Sequence, residues 1–294
     1  MRSSRTLAPA VAGSWYPRDP DALAGLVDVL LDGAAEPAPA PAGPIAALIA
    51  PHAGFAYSGA VAASAFVKLR GRAFDRVVLV GPSHHFGFAG AAVPDADTAA
   101  FRTPLGAVPI DREAVSALAA SPGFHGDDRM FEPEHALEAE LPFLQRALAA
   151  PTPIAPILIG GGASGDDAAR VATAIAPWLQ GSALLVISSD FTHFGPRFDY
   201  VPFTDDVPAR IRKLDLGAIR TIESGNAESF SRYVNATGAT ICGHRAVEVL
   251  LRLPLAAQGA ALLAYDTSGR MTGRWDHSVS YAALAVPSLR PESP

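Results

Sequence analysis

The chain has 294 residues, 49% of them apolar and 18% charged, which is ample material for one large core and too apolar for a disordered chain. Net charge is −6 and the basic residues are dispersed, which argues against nucleic acid or an anionic membrane surface as a partner. The single cysteine, Cys242, rules out an intramolecular disulfide.

The opening run "MRSSRTLAPAVAGSWYP" has an apolar part too short and broken for a signal peptide, and no window reaches the length of a membrane span, so the reading is a soluble cytoplasmic protein. Residues 20–33 place Leu23, Leu26, Val27, Leu30 and Leu31 at helical spacing, with Gly33 as a stop. The Ala/Pro-rich stretch 34–44 reads as an exposed, extended loop. Apolar runs at 45–50, 75–81, 154–161 and 183–190 read as buried strands. They alternate with helical patterns at 58–71, 114–121, 134–150 and 166–180, the third of which can break at Pro142. Residues 206–236 read as mainly helical and 243–253 as a helix; "ALLAYDTS" and "SVSYAALAV" read as late strands before a flexible tail, 287–294. This alternation predicts a single α/β domain over 1–294, with three layers, α/β/α, around a mostly parallel or mixed sheet. Sites in such folds form at the carboxyl ends of the strands.

Polar residues collect at those ends. His52 follows the first strand in "IAALIAPHAG", His84 and His85 follow the second in "VVLVGPSHH", and Asp190 and His193 follow a later one in "LLVISSDFTH". Four of the eight histidines thus lie just past three strands, where turns usually carry Gly, Asn, Asp or Ser. Each alone reads equally as a hydrogen-bonded loop residue. If the strands are parallel neighbours, the group converges on a metal-centred pocket. Adjacent side chains in an extended segment point to opposite faces, so one ring of the His84-His85 pair is expected to ligate and the other to face substrate or pack. Cys242 stands where the 243–253 helix begins. The helix macrodipole would lower its pKa there, and thiolate with imidazole suits Zn, Fe or Cu(I) better than Mg or Ca. It also reads as a small buried hydrophobe. Glu134-His135 reads either as a helix-capping acid beside a buried imidazole or as a carboxylate–histidine pair that orients a ligand or moves protons. Trp15 and Tyr16 in "GSWYP" either line a pocket or pack an N-terminal arm. The loop "IGGGASGDD" lacks the lysine and spacing of phosphate-binding motifs. His125, His244 and His277 have no comparable context and are read as surface or core residues.

The motifs "AGSWYP", "IAPHAGFAYSG", "GPSHH", "TPLG", "EHALEAELPFLQ", "SSDFTHFG", "TICG" and "SVSYAA" stand in the order found in Memo-family proteins, called AmmeMemoRadiSam system protein B in many bacteria and archaea. The chain resembles that family from about Ala12 to Ala285. The resemblance implies a fold like the LigB-type class III extradiol dioxygenases, which open catechol rings with non-haem iron. It implies His52, His84 and Cys242 as metal ligands, which together with the nearby Gly81-Pro82 selects His84 over His85. It also implies Asp190 and His193 as pocket residues and Glu134-His135 as the family's "EH" pair, and the company of a radical-SAM protein and an AMMECR1-like protein. Ring-opening relatives use two histidines and a carboxylate, whereas a thiol stands third here, donating more charge and itself open to oxidation.

Three functions follow as expectations. In the first, His52, His84 and Cys242 hold Fe(II) or copper for redox chemistry on a small organic substrate, with His193 as acid/base, Asp190 holding its tautomer or lining the pocket, and Glu134, His135, His85, Trp15 and Tyr16 completing the site. In the second, the same ligands hold zinc for hydrolysis or lysis. In the third, the chain handles metal or docks a peptide within the radical-SAM system without turnover.

Overall fold

A computed structural model describes residues 5–34 and 43–288. Residues 35–42 of the Ala/Pro-rich stretch and 289–294 of the expected tail lie outside the described residues; Pro287 belongs to the last strand.

In chain order, β1 (Arg5–Leu7) leads to α1 (Pro20–Gly33). Asp19 caps α1 by accepting the Ala22 amide at 2.9 Å, and Leu23, Val27 and Leu31 turn inward. Then come β2 (Ile45–Ala50), α2 (Phe55–Phe66) and β3 (Arg76–Pro82). Short strands β4 (Ala91–Val93), β5 (Thr98–Thr103) and β6 (Gly106–Pro109) precede α3 (Arg112–Ala119) and β7 (Phe124–Gly126). The segment 134–137 is irregular, and Pro142 opens α4 (Leu141–Ala147), where its missing N–H is not needed. Next are β8 (Ile154–Ile159) and α5 (Gly165–Ile175), the latter closed at its start by a Ser164–Asp167 capping box. After β9 (Ala183–Ser188) and β10 (His193–Phe194) the chain runs through α6 (Val207–Glu223), α7 (Ala227–Thr237) and α8 (His244–Leu251). It ends with β11 (Ala261–Thr267), α9 (Ser268–Thr272) and β12 (Ser278–Pro287).

The main sheet has the order β10-β12-β2-β9-β3-β8-β4-β7, with β11 also paired to β12. Strands β2, β9, β3 and β8 are parallel, while β12 and β4 run antiparallel to them, so the sheet is mixed. The β2–α2–β3 crossover passes over β9 in one direction, and the β8–α5–β9 crossover returns over β3 in the other. Right-handed connections running in opposite directions put their helices on opposite faces. The result is the expected three-layer α/β/α domain, with β3 and β9 buried along nearly their whole length between the helical layers.

Three features differ from the sequence reading. The helix expected over 134–150 begins only at Leu141, after a 3₁₀ turn at Glu138–Glu140, and ends at Ala147. Gly81-Pro82 is not a turn: both residues belong to β3, paired in parallel with Leu158 and Ile159 of β8. A separate three-stranded sheet, β1-β5-β6, forms from two runs of three and four residues and one, β5, too mixed in polarity to read as a strand.

Two glycines let the loops close on the strand ends. A Cβ on Gly81 would stand 2.8 Å from Leu137 and 3.4 Å from Ser188 Cβ, so the bare backbone admits the 134–137 segment over β3. A Cβ on Gly243 would stand 2.5 Å from Ser189 Cβ and 2.7 Å from the Ser188 carbonyl oxygen, so α8 starts against β9 only without a side chain there. Gly243→Ala is expected to destabilise the protein by about 1–3 kcal/mol, the range for overpacking a tight site. The check is a lower thermal-unfolding midpoint, with metal binding weakened alongside because Cys242 moves with its neighbour.

Candidate metal centre

Strands β2, β9 and β3 deliver His52, the Ser188-Ser189-Asp190 run and His84 to one edge. Each residue of that run has its own partner. Ser188 Oγ lies 2.7 Å from His52 Nδ1, Ser189 Oγ accepts the Gly243 amide at 3.1 Å, and Asp190 Oδ1 accepts the His52 amide at 2.9 Å. The Asp190 amide donates to Cys242 Sγ at 3.3 Å. Cys242 Sγ then stands 3.3 Å from His52 Nε2. Two ligands of one tetrahedral ion with metal–nitrogen and metal–sulfur bonds of about 2.1 and 2.3 Å lie roughly 3.5 Å apart, so this pair has the separation of a shared ion.

Glu134 organises the other side. It is buried and accepts from the amides of His84 (2.6 Å), His135 (2.9 Å) and Ala136 (2.9 Å), and its Oε1 lies 2.9 Å from His84 Nδ1. The carboxylate only accepts, so His84 Nδ1 carries a proton and Nε2 is the nitrogen open to a metal. The capping-acid reading of Glu134 gives way to the orienting one, because its neighbours are irregular backbone and not a helix start.

His52, His84 and His135 each offer an atom within 4.8 Å of the others. Proximity is not coordination, however. The His84 and His135 rings are stacked, with centroids 4.5 Å apart and planes at 15°, so their in-plane lone pairs do not meet on one ion. His52 stands edge-on to both, at 78° and 75°. His52 is therefore the common donor, edge-on to His84 and 3.3 Å from Cys242 Sγ; Cys242 stands outside the group of three, so an ion held by His52, His84 and Cys242 together needs a small shift of His84 or of the thiol. His135, capped by Trp15 at 4.2 Å, forms the adjoining wall.

Protonation follows from burial. It holds His52 well below the usual imidazole range, helped by the neighbouring rings of His84, His135 and His193. Burial, with His84, takes His135 down to about 4. Both are neutral donors at pH 7. Burial also acts to raise Glu134, but the His84 side chain and the backbone amides outweigh it and leave the carboxyl lowered. Asp190 is pushed up to about 7 by burial against the amide donors of His52 and Ala53.

The thiol departs from expectation. Cys242 precedes the α8 cap, yet burial and the nearby Asp190 push it up, overriding the backbone donors. It is a protonated thiol until a cation displaces its proton.

A cavity of about 690 Å³ opens over this floor, lined among others by Trp15, His135, His193, Phe198, Ile241 and His244. His193 Nδ1 lies 2.9 Å from the Phe191 carbonyl oxygen and 3.0 Å from that of Thr240. Both only accept, so Nδ1 carries the proton and Nε2 is left as a base. Of the two roles expected of Asp190, holding this tautomer is corrected, since its carboxyl accepts the His52 amide instead, while lining the pocket is where the structure places it. Tyr16 is corrected too, since it is 4% exposed and donates to the buried Glu138 in the core, away from the cavity. His85 is exposed at the rim, 6.3 Å edge-on to His135, and does not line the cavity. His244, read as surface or core, lines the cavity from the first turn of α8. Its place two residues after Cys242 was the available signal. A larger cavity, about 730 Å³, lies at the opposite edge of the sheet, and its described lining contains no His, Cys, Asp or Glu.

A family model described as Memo-like protein matches residues 7–285. Protein MEMO1 of Danio rerio is 34% identical over 94% of this chain and 95% of its own length. A MEMO1 family protein of Methanopyrus kandleri is 32% identical over 94% and 97%, and the memo-1 homolog of Caenorhabditis elegans 32% over 95% and 81%. The fold and strand-end site define an α/β protein with a histidine-rich centre. The chain belongs to the Memo family.

His52→Ala and His84→Ala are each expected to weaken Co(II) or Zn(II) binding at least about 100-fold, more than the 10–100-fold loss of an orienting partner. Cys242→Ser should abolish the thiolate-to-cobalt absorption band, and His135→Ala should keep it. Titrations followed by absorption spectroscopy check both.

Proposed function

We propose that the chain is a mononuclear redox metalloprotein acting on a small organic substrate, with His52, His84 and Cys242 as ligands to Fe(II) or copper. The observation that carries this reading is the 3.3 Å approach of Cys242 Sγ to His52 Nε2 at the floor of the cavity. Imidazole and thiolate donors favour iron, copper and zinc over magnesium or calcium. A bound iron or copper ion would supply one-electron chemistry toward an oxidant such as dioxygen.

The chain's own residues supply the rest. Trp15, Phe198, Ile241 and Val279 give the cavity flat apolar walls suited to a ring or short hydrocarbon body. His193 Nε2 takes a proton from a substrate hydroxyl or returns one, its own N–H being anchored on two carbonyls. Burial lowers His193, which keeps it a base near neutral pH. Among the described residues no helix is long and apolar enough to cross a membrane. The company of a radical-SAM protein and an AMMECR1-like protein belongs to this proposal too.

Protein purified without oxygen is expected to hold about one iron or copper per chain and to consume O₂ with phenolic compounds. His193→Gln should lower turnover by roughly 10²–10⁴-fold with metal content unchanged. Stoichiometric zinc with no redox signal would overturn the redox reading in favour of hydrolysis. Tight metal binding with no turnover across a broad panel would leave metal handling.

A further inference from the structure

We infer that Ser188 and Glu140 are positioning residues that lock His52 in its Nδ1–H tautomer and so present Nε2 as a lone pair toward Cys242. Ser188 Oγ has three close neighbours: His52 Nδ1 at 2.7 Å, the Ala136 carbonyl oxygen at 2.6 Å and Glu140 Oε1 at 2.7 Å. A hydroxyl donates one proton and accepts through two lone pairs. The Ala136 carbonyl can only accept, so it takes the Ser188 proton. Ser188 then has only acceptor capacity left. His52 must bring its proton through Nδ1–H, and Glu140 must bring one through a carboxylic acid O–H. All three contacts are then satisfied, as buried polar groups require.

Glu140 fits that role. It is 0% exposed, and its Oε2 has no hydrogen-bond partner among the described residues, so a carboxylate there would bury an uncompensated charge. Burial chiefly, and Asp190 in addition, hold it well above the usual carboxylate range. The two histidines are thus backed differently. His84 rests on the carboxyl of Glu134, lowered and hydrogen-bonded, whereas His52 rests on a neutral serine–acid pair that fixes direction without adding charge.

The tautomer is a property of the metal-free chain; only the affinity measurement rests on the metal-centre reading, so the two can fail separately. The test is long-range ¹H–¹⁵N correlation NMR of metal-free protein labelled at the histidine nitrogens, with His52 assigned by His52→Gln. At neutral pH the wild type is expected to show His52 Nδ1 protonated and Nε2 not. Ser188→Ala should convert His52 to mixed or Nε2–H forms and weaken Zn(II) binding about 10–100-fold. Glu140→Gln should stay close to wild type in both readouts, because an amide N–H replaces the acid O–H as donor to Ser188. An Nε2–H His52 in the wild type overturns the inference, as does an unchanged His52 in folded Ser188→Ala. So does Glu140→Gln behaving like the serine variant, because an amide N–H at the same place should hold Ser188 as the acid does; Glu140→Leu, which offers Ser188 neither donor nor acceptor, is expected to loosen the tautomer. If Ser188→Ala does not fold, the wild-type and Glu140→Gln spectra still decide.

Discussion

The site depends on the parallel ladder that seats β9 between β2 and β3. Ala50 pairs with Ser188 on one side of β9, and Val80 with Ile187 on the other, so all three strands end at the same level. Chain segments some 30 to 140 residues apart in sequence therefore release their next residues into one small volume. A one-residue slip of β9 would exchange the faces of Ser188 and Ser189 and break both the His52 and the Gly243 contacts. The apolar strands and their two covering layers make such a slip costly, because every inward side chain would move with it.

Burial is the second governing effect, and it competes with local electrostatics. A helix terminus stabilises a nearby anion by about 0.3–1 kcal/mol. Full burial can move a pKa by ~3–5 units, or about 4–7 kcal/mol. At Cys242 the larger effect wins and the sulfur keeps its proton. The same burial keeps His52 and His135 neutral. His52, His135 and the Cys242 thiol are thus neutral donors beside the carboxyl of Glu134, and a bound metal would supply the charge that makes a thiolate tolerable there.

Much of this was legible in the sequence, for physical reasons. Continuous apolar runs such as "VVLV" mark strands buried on both faces, and their alternation with helices specified the layers. Strand-end histidines stood out because imidazole is unusual at such turns. The short strands of the 91–126 region were not legible, since three or four residues carry no clear period. Nor were the partners of the site residues. Asp190 next to His193 in sequence suggested a pair, but the backbone turns that side chain to the His52 amide. Tyr16 and Trp15 are adjacent yet diverge, one into the core and one over His135. Ser188 and Glu140 looked like a strand residue and a helix residue; only their approach across about 50 positions gives them a role.

The most direct test of the shared centre is anomalous diffraction at the metal absorption edge from crystals loaded without oxygen. One peak per chain is expected, within bonding distance of His52 Nε2, His84 Nε2 and Cys242 Sγ, at about 2.0–2.1 Å from nitrogen and 2.3 Å from sulfur for a zinc-sized ion. A peak that leaves the sulfur uncoordinated, or that lies away from the ends of β2 and β3, would contradict it.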